Sequence, residues 1–123
     1  MTKKTAEKKL KGFQHLINAA KWSLQGFMST FSGEAAFRQE LLIFLILFPL
    51  SFYIGDSPLE VTLLILPLFL VLIVELINTA IESAIDRFGD EHHELSGRAK
   101  DIGSAAVFLS VTLAILVWVI LIF

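Results

Sequence analysis

Three apolar stretches, each with about the 20 residues that a membrane-crossing helix needs, constrain this chain more than any other feature. They run over residues 36–54, about 61–80, and 102–123 of the 123-residue sequence. Hydrophobic residues make up 55% of the chain, which is too apolar for an ordinary soluble domain. We therefore expect an all-α integral membrane protein with three transmembrane helices.

The basic residues predict how the spans are oriented. All Lys and Arg residues lie either between Lys3 and Arg38 or between Arg87 and Lys100, and the loop at 55–58 has none. The positive-inside rule then places the N-terminus and the 86–101 loop in the cytoplasm. We expect membrane lipids as partners and no nucleic acid. The sequence has no cysteine, so it indicates neither disulfides nor thiol chemistry.

The segment before the first span divides into two parts. Residues 1–12 are Lys-rich, and we expect them to be frayed and suited to anionic headgroups. Helical spacing then links a series of apolar residues: Phe13, Leu16, Ile17, Ala20, Leu24, Phe27 and Phe31. This predicts an amphipathic surface helix at the cytoplasmic interface or, alternatively, a helix packed on the cytoplasmic ends of the spans. Ser32 and Gly33 end it, which separates residues 1–33 from a three-helix membrane domain at 34–123.

Four polar residues share one face of the second span. On a helix from Leu59 to Asp86, with Glu75 at zero, Asn78 lies near −60°, Glu82 near −20° and Asp86 near +20°. They form a stripe about 80° wide among apolar residues. Ionisable groups in a membrane span cost several kcal/mol unless they are paired, hydrated or metal-bound, so the stripe indicates a functional site. We do not expect three helices alone to enclose it, so subunits should pack around the second span.

The depth of the stripe suits a reaction at the membrane interface. Glu75 lies ~7–8 Å below the cytoplasmic end of the span, and Glu82 is nearer to water. Glu34, at the start of the first span, is at a similar height to Glu82, and two such carboxylates could share Mg²⁺. Phosphoryl transfer needs a metal clamp of this kind, a cation and a base, for which Lys100 and Glu75 are candidates.

Plainer interpretations stay open for several of these residues. Asn78 could be an interhelical hydrogen-bonding residue, and Asp86 could mark the helix end in the headgroups. His92 and His93 are adjacent, unlike the i,i+4 pair of a helical zinc site, and fall in a polar stretch, 90–97, that is typical of a loop. There is no phosphate-binding loop motif, so loops and helix ends would have to hold any nucleotide.

Three segments resemble the prokaryotic diacylglycerol kinases: EAAFRQE at 34–40, VELINTAIE at 74–82 and ELSGRAKDIGSAAV at 94–107. The resemblance runs from about Phe13 to the C-terminus. It implies an enzyme of the bacterial inner membrane that phosphorylates diacylglycerol with ATP and Mg²⁺, as a homotrimer whose active sites are shared between subunits.

The resemblance also implies roles for individual residues. Glu75 matches the general base, Asn78 an active-site polar residue, and Glu34 and Glu82 the metal-binding carboxylates. Besides those two carboxylates, the residues that match nucleotide-holding positions are His15, Trp22, Asp86, Glu91, His92, His93, Lys100 and Asp101. The lipid substrate is assigned, together with Glu75, to Ala36, Phe37, Arg38, Gln39, Glu40 and Ser104. Family members often have Arg at His15, Tyr at Trp22, Asn at Gly33 and another aromatic residue at His92.

Two other functions compete with this one. Kinases of undecaprenol share the Glu–Asn–Glu stripe but tend to differ at 37–40 and 96–98, where this chain resembles the diacylglycerol enzymes. A small ion-coupled transporter would use the stripe to bind H⁺ or a cation. The shallow position of Glu75 and the lack of an inverted repeat disfavour it. A non-catalytic scaffold would leave the carboxylates without a purpose.

Overall fold

The computed structural model describes residues 2–89 and 93–123, and these residues form helices and short connections without a strand. The helices are α1 (Lys3–Gly33), α2 (Ala35–Ile54), α3 (Pro58–Asp86) and α4 (Glu94–Ile122). Helices α2, α3 and α4 are long and apolar enough to cross a membrane. The prediction of an all-α chain with three spans is confirmed.

Residues 1–33 and 34–123 form two compact units. The first is helix α1, whose apolar side chains from Leu10 to Phe31 are largely exposed within the chain. The prediction that residues up to 12 are frayed is wrong for the described ones, because the helix begins at Lys3. This segment is rich in the helix formers Lys, Ala, Glu and Leu. The Thr2 carbonyl also accepts hydrogen bonds from the backbone of Thr5 and Ala6.

In the second unit, a tight turn reverses the chain between α2 and α3. Ser57 caps α3 by accepting the Glu60 N–H at 3.2 Å, and Glu60 in return accepts the Asp56 N–H at 2.8 Å. Pro58 follows in the first helical turn, where its missing N–H costs nothing. A β-carbon on Gly55 would lie 2.6 Å from Val61 Cγ2, so glycine permits the close approach.

Helix α3 packs against both α2 and α4. The core consists of Leu64, Leu68 and Trp118, with Phe44 and Leu47 of α2 packed against them. The Trp118 indole N–H donates to the Leu64 carbonyl at 3.0 Å and so ties α4 to α3. This small core lies toward the α2–α3 turn, away from the acidic stripe.

Helix α4 begins at Glu94, four residues before the position expected from the polar stretch 90–97. The His93 side chain accepts the Leu95 N–H at 3.1 Å and caps the helix. An N-cap of this kind satisfies a backbone donor that would otherwise need water. Residues 94–97 are therefore helical, and the connection from α3 is shorter than predicted. Pro49 and Pro67 lie inside α2 and α3, as expected for spans.

Candidate active site

The acidic stripe continues the buried face of α3. Leu64 and Leu68 lie on this face, followed by Glu75, which is 5% exposed, and Asn78, which is 8% exposed. The expectation that three helices could not enclose the stripe is wrong for these two residues. Gly103 of α4 has no side chain to hold the helices apart, so α4 approaches closely enough to help cover the amide of Asn78. Glu82 is half-buried and Asp86 is exposed.

Asn78 links the buried part of the stripe to the part nearer water. Its Nδ2 donates to Glu82 Oε1 at 3.4 Å, one helical turn further along α3. The sequence left open an interhelical hydrogen bond for Asn78, but this bond stays within α3. Asn78 Oδ1 is buried and has no hydrogen-bond partner among the described residues.

Other carboxylates lie close enough to Glu75 to interact with it electrostatically. The side chains of Glu82 and Glu34 lie within electrostatic range of it, and Glu40 on α2 is also close enough to repel it. Glu34 precedes α2, but its side chain makes no capping hydrogen bond. The like charges would repel one another, and a bound cation would offset that repulsion.

These carboxylates fit a divalent cation only in part. Among residues 2–89 and 93–123, no three His, Asp or Glu side chains form a group that could hold a metal by themselves. Mg²⁺ is commonly held by one or two carboxylates, with water and substrate phosphates completing its shell. Glu34 and Glu82 suit such a partial shell, since both supply hard oxygen ligands.

An ion pair joins the end of α3 to the first turns of α4. Lys100 Nζ lies 2.7 Å from Asp86 Oδ1, and both side chains are accessible to solvent. Asp101 and His93, which are near Lys100 in the sequence, are also exposed. Glu91 and His92 lie outside the described residues, so their predicted roles stay predictions.

His15 and Trp22 belong to the other compact unit. They lie about two turns apart on α1, and their rings meet edge-on with centroids 6.4 Å apart. This contact is internal to α1, and their assignment to the nucleotide stays a prediction.

The residues predicted to contact lipid are distributed over two helices. On α2, Phe37 is 2% exposed, whereas Ala36, Arg38 and Gln39 are exposed. Glu40 is half-buried, and its Oε2 atom is buried without a hydrogen-bond partner among the described residues. Ser104 on α4 is exposed.

An apolar cavity of about 380 Å³ opens beside Glu40. Its wall includes Phe44 of α2, Leu68 of α3, and Ala114 and Trp118 of α4. Glu40 is the charged residue among those that line it. This cavity is not among the features predicted from the sequence. The spacing of Val111, Ala114 and Trp118, which places them on one face of α4, is the signal that could have pointed to it.

Known proteins match the chain over most of its length. The family model for prokaryotic diacylglycerol kinase matches residues 21–122. The diacylglycerol kinase of Haemophilus influenzae is 49% identical over 110 residues, covering 89% of this chain and 93% of the relative. That of Pseudomonas aeruginosa is 46% identical over 107 residues, or 87% of each chain, and that of Escherichia coli K12 is 44% identical over 110 residues, or 89% and 90%. The chain therefore belongs to the prokaryotic diacylglycerol kinase family.

Proposed function

We propose that the protein transfers the γ-phosphoryl group of ATP to the free hydroxyl of diacylglycerol and releases phosphatidic acid and ADP. The observation that carries this is the order of groups along α3. Leu68 and Val71 line the apolar cavity, buried Glu75 follows, and half-buried Glu82 and exposed Asp86 come next. One helix thus leads from a lipid-like environment through a carboxylate to water.

Glu75 is the general base in this proposal. It takes the proton of the diacylglycerol hydroxyl as that oxygen attacks the γ-phosphorus, and the bond from phosphorus to the leaving oxygen of ADP breaks. Positioning and charge compensation dominate phosphoryl transfer, and a base adds typically 10²–10⁴-fold. The buried position of Glu75 excludes water that would otherwise compete as the acceptor.

Glu34 and Glu82 would hold Mg²⁺, and Asn78 keeps Glu82 in place through its amide N–H. When bound, Mg²⁺ supplies charge neutralisation at the phosphates. On the water side, Asp86, Lys100 and Asp101 contact the nucleotide. The ion pair with Asp86 holds the cationic group of Lys100 at this end of α3. We assign the same role to His15, Trp22, Glu91, His92 and His93, on the resemblance alone.

The lipid substrate lies on the apolar side of Glu75. The cavity accepts part of an acyl chain, because its wall is almost wholly apolar. It opens beside Glu40. Ala36, Phe37, Arg38, Gln39, Glu40 and Ser104 form the surrounding wall, as the family resemblance implies. The names of the relatives, which specify diacylglycerol, support this choice of lipid.

We further propose a homotrimer in the bacterial inner membrane, with the N-terminus in the cytoplasm and active sites shared between subunits. Large apolar side chains on all three spans, such as Leu45, Phe69 and Phe108, are exposed in the single chain. Lipid or a second subunit has to cover them. The distribution of Lys and Arg supports the orientation.

The test is transfer of labelled phosphate from ATP in mixed micelles, with diacylglycerol and undecaprenol offered separately, with and without Mg²⁺. Labelled phosphatidic acid that requires Mg²⁺ is expected. Preferential labelling of undecaprenol would replace the proposed substrate with the isoprenoid alcohol. No labelled lipid from folded protein would overturn the kinase proposal and favour the ion-coupled transporter.

A further inference from the structure

Gly103 on α4 lies against Asn78 of the acidic stripe. Gly103 is buried, and a β-carbon built on it would overlap Asn78 Oδ1 and lie 3.3 Å from Asn78 Cγ. The obstacle is the amide group itself, and moving it away would disturb its hydrogen bond to Glu82. Any residue other than glycine at this position therefore has to displace Asn78 or separate the helices.

The hydrogen bond to Glu82 determines which way the Asn78 amide points. The Glu82 carboxylate accepts a hydrogen bond from Asn78 Nδ2, so the amide oxygen is directed away from Glu82. That oxygen finds no conventional donor in residues 2–89 or 93–123 and lies against the backbone of Gly103. A Cα–H of glycine can make a weak hydrogen bond to such an oxygen. If the amide were rotated, its oxygen would face a Glu82 carboxylate oxygen, and neither could donate a hydrogen bond.

We propose that Gly103 is a positioning residue: because it has no side chain, the Asn78 amide has room for the orientation that binds and orients the Glu82 carboxylate. The inference rests on the proposed function, because the role of Glu82 in holding MgATP belongs to that proposal. Neither the acidic stripe nor the family motif assigned any role to this glycine. Its effect passes through Asn78 and does not require contact with either substrate.

The test compares Gly103→Ala with Gly97→Ala. Gly97 lies on the same helix, and a β-carbon there would meet nothing within 4 Å. Alanine has a higher helix propensity than glycine, and this difference alone would stabilise the helix by about the same amount at both positions. We expect Gly103→Ala to lower kcat at least about tenfold and to raise the Mg²⁺ concentration needed for half-maximal activity, which corresponds to a loss of about 1.4 kcal/mol or more. Gly97→Ala should stay within about twofold of the parent chain.

A second readout follows the amide directly, without metal or substrate. The sequence contains two asparagines, Asn18 and Asn78, so ¹⁵N labelling of asparagine gives two side-chain amide signals. Asn18 lies on α1, where it accepts a hydrogen bond from Gln14, and serves as an internal reference. We expect Gly103→Ala to shift the Asn78 signal and leave the Asn18 signal unchanged, and Gly97→Ala to shift neither. An unshifted Asn78 signal in folded Gly103→Ala would overturn the proposal.

A double-mutant cycle separates positioning from general damage to packing. Truncation in Asn78→Ala removes the atoms that a β-carbon at residue 103 would strike. Adding Gly103→Ala to that variant should lower its remaining activity less than about twofold, whereas independent effects would multiply. If Gly103→Ala alone does not fold, the double variant should fold, and its failure to fold would contradict the inference. If the parent chain shows no phosphate transfer, the proposed function is refuted, but the NMR comparison remains valid.

Discussion

The two ends of the α3–α4 pair are built on different principles. Toward the α2–α3 turn, Leu64, Leu68 and Trp118 form an apolar core with a satisfied indole hydrogen bond. Toward the other end, the same helix face carries Glu75 and Asn78. In the described part of the chain, the buried side-chain atoms that lack a hydrogen-bond partner are Glu40 Oε2, Asn78 Oδ1 and Thr79 Oγ1. All of them lie toward this polar end.

The contrast indicates which end serves stability and which serves function. An unsatisfied buried polar group costs about 1–3 kcal/mol, and a buried charge costs more. Sequences selected for stability alone would replace such groups, so their concentration at one end points to a site that substrates complete. The apolar end should then govern stability, and the polar end should govern activity.

The largest expected effect is that of Glu75→Gln. Removing the proposed base while keeping the size of the side chain should lower kcat by about 10²–10⁴-fold. The measurement is phosphate transfer to diacylglycerol in mixed micelles. Glu60→Gln, at the opposite end of the same helix, is the matched control and should keep activity within about twofold. Equal activity in Glu75→Gln and the parent chain would exclude Glu75 as the base.

Glu82→Gln should have the next largest effect, because the amide is a poor ligand for a hard cation. We expect activity to fall about a hundredfold at low Mg²⁺ and to recover partly as Mg²⁺ rises. A titration of activity against Mg²⁺ at saturating ATP measures this. A loss that no Mg²⁺ concentration reduces would argue against metal binding by Glu82.

A smaller effect is expected from filling the apolar cavity with Ala114→Leu. Added side-chain volume in the space proposed for an acyl chain should raise KM for long-chain diacylglycerol roughly three- to tenfold. Short-chain diacylglycerol should be affected less. Ala105→Leu is the control, since residue 105 lies on the opposite side of α4, about 180° away. Equal KM changes for both chain lengths would remove the cavity from the lipid site.

The smallest effect on activity is expected at the apolar end. Trp118→Phe removes the donor to the Leu64 carbonyl and should lower the free energy of unfolding by about 1 kcal/mol. Trp118 also lines the cavity, so the comparison uses short-chain diacylglycerol, for which activity should remain within a few-fold of the parent chain. Tyr53→Phe, which removes a hydroxyl from a side chain that is 88% exposed, is the control and should change stability by less than about 0.5 kcal/mol. Unfolding in detergent micelles measures the stability of both variants. A loss of activity without destabilisation in Trp118→Phe would contradict the division between the two ends.

Local patterns in the sequence account for much of this fold. Ser57 and Pro58 mark the start of α3, and uninterrupted apolar residues extend it, so the expected helix from Leu59 to Asp86 matches the observed one closely. The sequence predicts the start of α4 too late, because Glu94, Ser96 and Gly97 are polar or small and resemble a loop until the cap by His93 is known. The helical repeat of about 100° per residue was enough to place the carboxylates on one face.

The remaining features depend on which helices meet, and no local pattern specifies that. The close contact between Gly103 and Asn78 joins residues 25 positions apart in sequence, and the cavity combines side chains of three helices. For the same reason the burial of Glu75 within one chain was not expected. Periodicity predicts which side of a helix is polar, but the depth of each residue depends on how closely the next helix packs.

The stability of Glu75→Gln distinguishes a functional role for this residue from a stabilising one. We expect this inactive variant to unfold with a free energy equal to or greater than that of the parent chain, because a buried carboxyl group near other carboxylates has been removed. Unfolding of both proteins in the same micelles, without nucleotide or Mg²⁺, gives the comparison. A loss of about 3 kcal/mol or more would show that Glu75 stabilises the fold, and it would contradict the division into a stabilising end and a functional end.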